Sequence, residues 1–93
     1  MLKGVELYKK MADKKIGTIT HFFDNISVGI IELEDSLKVG DTIRIEGATT
    51  NFEQEVTSMQ YDHEDIESGD SGQEVGIKVD EKVREGDEVY LVE

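Results

Sequence analysis

The sequence predicts an all-β fold, a small closed or nearly closed antiparallel barrel of about six to seven strands behind a short N-terminal extension. Three observations predict it. From Ile16 onward, β-branched and aromatic residues come in short runs separated by Gly, Asp, Asn and Ser, which is strand-and-turn grammar. Inside the clearer runs, apolar and polar residues alternate with the period of two that a half-buried strand requires. Proline is absent, so no run is demoted to an edge on that account.

The extension, Met1 to Lys15, reads differently from the rest. Leu2, Val5, Tyr8 and Met11 recur every three residues, as on one side of a short helix. The stretch lacks a clear N-cap and fits a frayed lead-in equally well. Met11-Ala12-Asp13 also has the form of an internal start. The first strand is then Ile16 to Phe23, with a turn at Asp24-Asn25, and the second is Ser27 to Leu33. Leu37 to Asp41 leads into Thr42 to Glu46, where Ile43 and Ile45 face one way. Phe52 to Tyr61 reads as one long strand that changes phase between Val56 and Met59, which places a bulge near Thr57-Ser58. Asp62 to Glu67 is an acidic turn plus a short edge strand. Gly72 to Val79 directs Val75, Ile77 and Val79 inward, and Val89 and Leu91 are the inward pair of the last strand. Several short strands at this spacing make a small barrel or sandwich. Lys38-Val39-Gly40-Asp41 and Arg84-Glu85-Gly86-Asp87 form a weak repeat. In each, Gly40 or Gly86 supplies a positive φ, and Asp41 or Asp87 can bond the nearby backbone.

At 93 residues the chain suits one domain with a modest core. Cysteine is absent, which excludes disulfides and thiolate chemistry and fits a cytoplasmic location. No apolar run approaches the roughly 18 residues of a membrane span, and no apolar block follows the N-terminal lysines as in a secretory signal. The net charge is −12, unevenly spread. Residues 1–45 carry seven cations and seven acids. Residues 46–93 carry three cations against fifteen acids, the whole net charge of −12. Phosphate binding needs local positive charge, so this balance opposes free nucleic acid and anionic membranes. An acidic face steers toward basic proteins instead, and it also keeps strand edges apart.

Gly17-Thr18-Ile19, Leu37-Lys38-Val39-Gly40-Asp41, Val56-Thr57-Ser58-Met59-Gln60, Gly69-Asp70 through Gly76-Ile77, and Val83 to Val89 occur in the order found in the second, β-barrel domain of translational GTPases. The chain resembles that domain, of the elongation factor Tu and initiation factor 2 type, over about Ile16 to Val92. It is similar to small translation elongation factor-like proteins consisting of this barrel. It also resembles the C-terminal barrel of collagenase-type peptidase relatives, implicated in RNA modification, on Phe52-Glu53-Gln54-Glu55-Val56. The turn Glu34-Asp35-Ser36 departs from the GTPase pattern, where a glycine is usual. There is no phosphate-binding glycine loop with its lysine, so GTP is not an expected ligand.

No catalytic residue, cofactor site or metal site is expected. His21 lies near Asp24, and such a pair can orient a general base, but no nucleophile is implied beside it. Asp62-His63-Glu64-Asp65 offers hard-metal donors without the spacing of a calcium loop. Phe22 and Phe23 must point to opposite faces, so one packs inside and the other, with His21, is available to a partner, unless both pack. Two functions follow from the resemblances. One is a non-catalytic translation-associated module touching the ribosome, a tRNA or a factor. The other is a protein-interaction module acting in trans with a peptidase-like or RNA-modifying enzyme. Both imply a protein or ribonucleoprotein partner.

Overall fold

Ten strands follow one another along residues 13–92, the part of the chain that the computed structural model describes. They are β1 (Lys14–Phe23), β2 (Val28–Leu33), β3 (Leu37–Lys38), β4 (Thr42–Glu46), β5 (Asn51–Glu55), β6 (Met59–Tyr61), β7 (Glu64–Asp65), β8 (Ser68–Gly69), β9 (Glu74–Lys78) and β10 (Glu88–Val92). The class is all-β. Eight strands make one antiparallel sheet in the order β5-β4-β10-β1-β2-β9-β6-β7, and β3 pairs with β8 apart from it. Among the described residues no helix is long and apolar enough to cross a membrane. The reading of Met1 to Lys15 lies mostly outside the described residues. Lys14 and Lys15 themselves pair with Leu91 and Tyr90 and so belong to the sheet.

The alternation read from the sequence places the core. Ile43 and Ile45 on β4, Val75 and Ile77 on β9 and Val89 on β10 are buried against Ile16, Ile19, Ile31 and Leu37. Leu91 is only half-buried and packs at the margin of that cluster. It stands near the end of β10 opposite Lys14 and Ile43.

The ladder does not close into a barrel, which corrects the closed form of the expectation. β5 ends it on one side, and Val56, next after β5, still bonds the residues that lead into β4. Its N–H donates to Asp41 O, and its carbonyl accepts from Gly40 N, each at 2.8 Å. β7 ends it on the other side, a two-residue strand whose side chains, Glu64 and Asp65, are both exposed carboxylates; such edges discourage further pairing. A side chain bridges part of the gap. The buried Gln54 of β5 donates from Nε2 to Lys78 O at 2.8 Å and accepts from Asp80 N at Oε1, also 2.8 Å.

One element differs outright. Phe52 to Tyr61 is not a single bulged strand. It is split into β5 and β6, which lie at distant places in the sheet. Val56 and Met59 are both buried, and a spacing of three satisfies no strand period. The intervening Thr57 and Ser58 are the exposed crossing between strands.

Two turns repeat at atomic detail. Lys38 N donates to Asp41 Oδ2 at 2.9 Å and Asp41 N returns to Lys38 O at 3.0 Å. Arg84 N donates to Asp87 Oδ2 at 2.9 Å and Asp87 N returns to Arg84 O at 3.1 Å. Gly40 and Gly86, third in each turn, hold φ of 101° and 94°, as the third residue of a type II turn must. A third copy had no visible signature. Asp70 N donates to Gln73 Oε1 at 2.7 Å, Gln73 N returns to Asp70 O at 3.1 Å, and Gly72 has φ 93°. It ends in glutamine, so a search for Gly-Asp misses it.

Candidate interaction groove

The far half of the β1–β2 hairpin is turned by a backbone irregularity. Between Ile19 and His21 the register of β1 on β2 shifts by one residue. At this point Ile19 is bonded to the second turn, its N–H donating to Asp87 O and its carbonyl accepting from Gly86 N, each at 2.8 Å. A bulge reverses the alternation after it. Phe22 therefore packs against the core, opposite Gly29. His21 and Phe23 face outward, and Phe23 is 48% exposed. Their rings stack with centroids 6.3 Å apart at 25°. His21 Nδ1 lies 3.6 Å from Glu85, so its carboxylate neighbour is Glu85 and not Asp24.

Outside residues line up across four strands. His21 pairs with Ile30, Ile30 with Gly76, and Gly76 with Gln60. The adjacent row brings Phe23, Val28 and Lys78 into register. Gly76 has no side chain, and there the row dips. A groove of about 370 Å³ runs over it, with Phe23, Ile26, Val28 and Ile30 on one side and Gln60, Asp62, His63 and Glu74 on the other. A Cβ at position 76 would lie 3.3 Å from both Ile30 Cδ1 and Val28 Cγ1, so this glycine keeps the floor open.

The walls are unusual in two respects. Ser27, Asp62 and His63, at φ of 55°, 55° and 68°, are the non-glycine residues with positive φ among those described. They all lie in the two turns that flank the groove. Asp62 and His63 make the tight β6–β7 turn, a position that ordinarily favours Asn-Gly or Asp-Gly. The second respect is charge. Glu32 and Glu74 stand directly opposite each other on β2 and β9, and neither is in an ion pair among the described residues. The lysines at the start of β1 are engaged elsewhere, Lys14 with Asp35 and Lys15 with Glu34 and Glu88.

The opposite end of the sheet is internally paired. Arg44 bonds Asp13 and Glu46 and lies 5.0 Å over the Tyr90 ring. Burial depresses the pKa of Arg44, but the bonds it donates to Asp13 and Glu46 outweigh it and hold the guanidinium charged. Among the described residues no group of three or more His, Asp or Glu could hold a metal ion.

The described residues thus form an open antiparallel sheet that carries an apolar groove with acidic residues at its rim. Comparisons with known proteins place similar sequences within longer, peptidase-named proteins. The chain is 46% identical over 86 residues to an uncharacterized protease of Methanocaldococcus jannaschii, covering 91% of this chain and 20% of that protein. It is 35% identical over 77 residues to a collagenase of Porphyromonas gingivalis, covering 81% of this chain and 21% of that one. The chain thus spans about one fifth of the length of these curated relatives. Among solved structures, the C-terminal domain of a candidate U32 peptidase of Geobacillus thermoleovorans shares the fold. Its TM-score is 0.79 at 14% identity, over 84% of this chain and 91% of that domain. A selenomethionine variant of the same domain gives 0.78 over 82% and 96%. No family model matches. Of the two resemblances read from the sequence, the collagenase-type one is supported, and the translation-factor one gains no support.

Proposed function

We propose that this chain is a non-catalytic interaction module that works with a peptidase-type or RNA-modifying enzyme, holding that enzyme or its substrate through the groove between the β1–β2 hairpin and β6. The observation that carries it is the outward-facing apolar groove, on a domain whose relatives over most of its length are peptidase-named proteins about five times longer. Concave, mostly apolar surfaces with a few polar groups at their edge are where binding sites form. On this reading GTP, free nucleic acid and membranes are not ligands, because the acidic half of the chain opposes phosphate, and the protein works in the cytoplasm.

Recovery of bound partners from native lysate, with and without RNase, tests the proposal. A peptidase-type protein retained after RNase treatment is the expected result. RNase-sensitive recovery of tRNA or ribosomes would replace this reading with the translation-associated one.

A further inference from the structure

We infer that the groove takes a protein segment presenting a bulky apolar side chain flanked by lysine or arginine. This rests on the reading of the chain as a protein-interaction module and specifies what the module recognises. Four observations converge on it.

The first is apolar exposure at one place. Phe23 and Ile26, which line the groove, are 48% and 54% exposed. Aromatic and aliphatic side chains concentrated over a pocket are the usual anchors of protein interfaces. The second is shape. Gly76 leaves a hollow between Ile30 and Gln60 into which an incoming side chain fits, and a Cβ there would fill part of it.

The third is charge. Glu74 and Asp62 rim the groove, Glu32 faces Glu74 directly, and these three carboxylates outnumber Lys78, the cation in the row of Phe23 and Val28. Like charges opposite one another in a sheet are destabilising, and a cationic group placed between them relieves the repulsion. The rim also decides against other occupants. Phosphate backbones and anionic lipid surfaces meet carboxylates there, and a second copy of this chain would bring the same acids with it. The fourth is backbone strain. Ser27, Asp62 and His63 hold positive φ in the two turns that flank the groove, and such conformations in non-glycine residues recur at binding sites.

The test uses fluorescence anisotropy with a labelled synthetic peptide of alternating leucine and lysine, at physiological salt. Two control peptides separate the contributions. One has serine for every leucine at the same charge, and the other has glutamate for every lysine with the same apolar residues. The leucine–lysine peptide is expected to bind at least tenfold more tightly than either. Gly76→Val, which fills the floor, and Phe23→Ser, which removes a wall, are each expected to weaken it tenfold or more. Phe23 is outside the core, so its variant keeps the test readable if Gly76→Val melts early. Equal binding of the serine–lysine peptide would overturn the inference, since attraction to diffuse negative charge would then explain everything. Unchanged binding by Phe23→Ser would overturn it too. If a protein partner is still recovered from lysate by Phe23→Ser, the interaction-module reading stands and only the groove assignment falls.

Discussion

Three glycines, Gly40, Gly72 and Gly86, carry the turns at the residue scale, and the open surroundings of all three isolate a single physical effect. A Cβ built on Gly40 or Gly86 meets no atom within 4 Å, so any penalty for alanine comes from the backbone. Their φ values near +100° are unfavourable to a residue with a side chain. Gly40→Ala and Gly86→Ala are each expected to cost about 1 kcal/mol or more, measured as a lower denaturant midpoint at unchanged slope. An unchanged midpoint in both would mean that the turns relax freely. Tyr90 offers a second residue-scale test. Its phenol is held above the ordinary value of 10.0, first because its hydroxyl donates to Glu88 Oε1 at 2.7 Å and then through partial burial. A pKa raised on folding contributes stability that is complete below pH 10 and is lost as pH rises through the folded value. An alkaline absorbance titration should show this tyrosine, identified by its absence in Tyr90→Phe, ionising above pH 10. Glu88→Ala should bring it down toward the ordinary value.

At the scale of elements, the paired strands were legible and the crossings between them were not. Ile43-Arg44-Ile45 and Val75-Gly76-Ile77 alternate cleanly because each strand has one buried face, and only one register satisfies it. Val56 and Met59 defeat that logic. Val56 is held by a backbone exchange with Gly40 and Asp41 and Met59 by its pairing with Ile77, and local periodicity carries no record of either. The groove was half legible. The adjacency of Phe22 and Phe23 requires one of them to face outward, but which one depends on the shift after Ile19. Gly76 reads as a floor only once Ile30 and Gln60 are known to stand beside it. Gln54 shows what an isolated polar residue in a strand can mean. It stitches β5 to the segment after β9 by accepting from Asp80 N and donating to Lys78 O. Gln54→Met keeps similar bulk and leaves both backbone groups unpaired. The expected cost is about 1–3 kcal/mol, with faster hydrogen exchange specifically at the Asp80 amide. Full protection at Asp80 in that variant would show that the stitch does not hold the edge.

For the molecule as a whole, the surplus of negative charge links stability to the proposed binding. Self-repulsion of a chain with net charge −12 opposes the compact state, and screening at about 0.1 M salt shortens its reach to about 10 Å. Raising sodium chloride from low to physiological concentration is therefore expected to raise the melting temperature, with no ligand involved. Glu74 is the position where this cost and the inferred function meet, since it opposes Glu32 across the strands and rims the groove. Glu74→Lys converts a repulsive cross-strand pair into an attractive one, worth roughly 0.2–1 kcal/mol, and lowers the magnitude of the net charge by two. The variant should be more stable than the parent, with a smaller gain from salt. It should also bind the leucine–lysine peptide more weakly. Surface charges that cost stability and are kept for recognition behave in this way. Paired denaturant and anisotropy measurements on this one variant decide the matter. A more stable protein with undiminished binding would place the repulsion outside the binding site, and a less stable one would show that Glu32 and Glu74 are not opposed in solution.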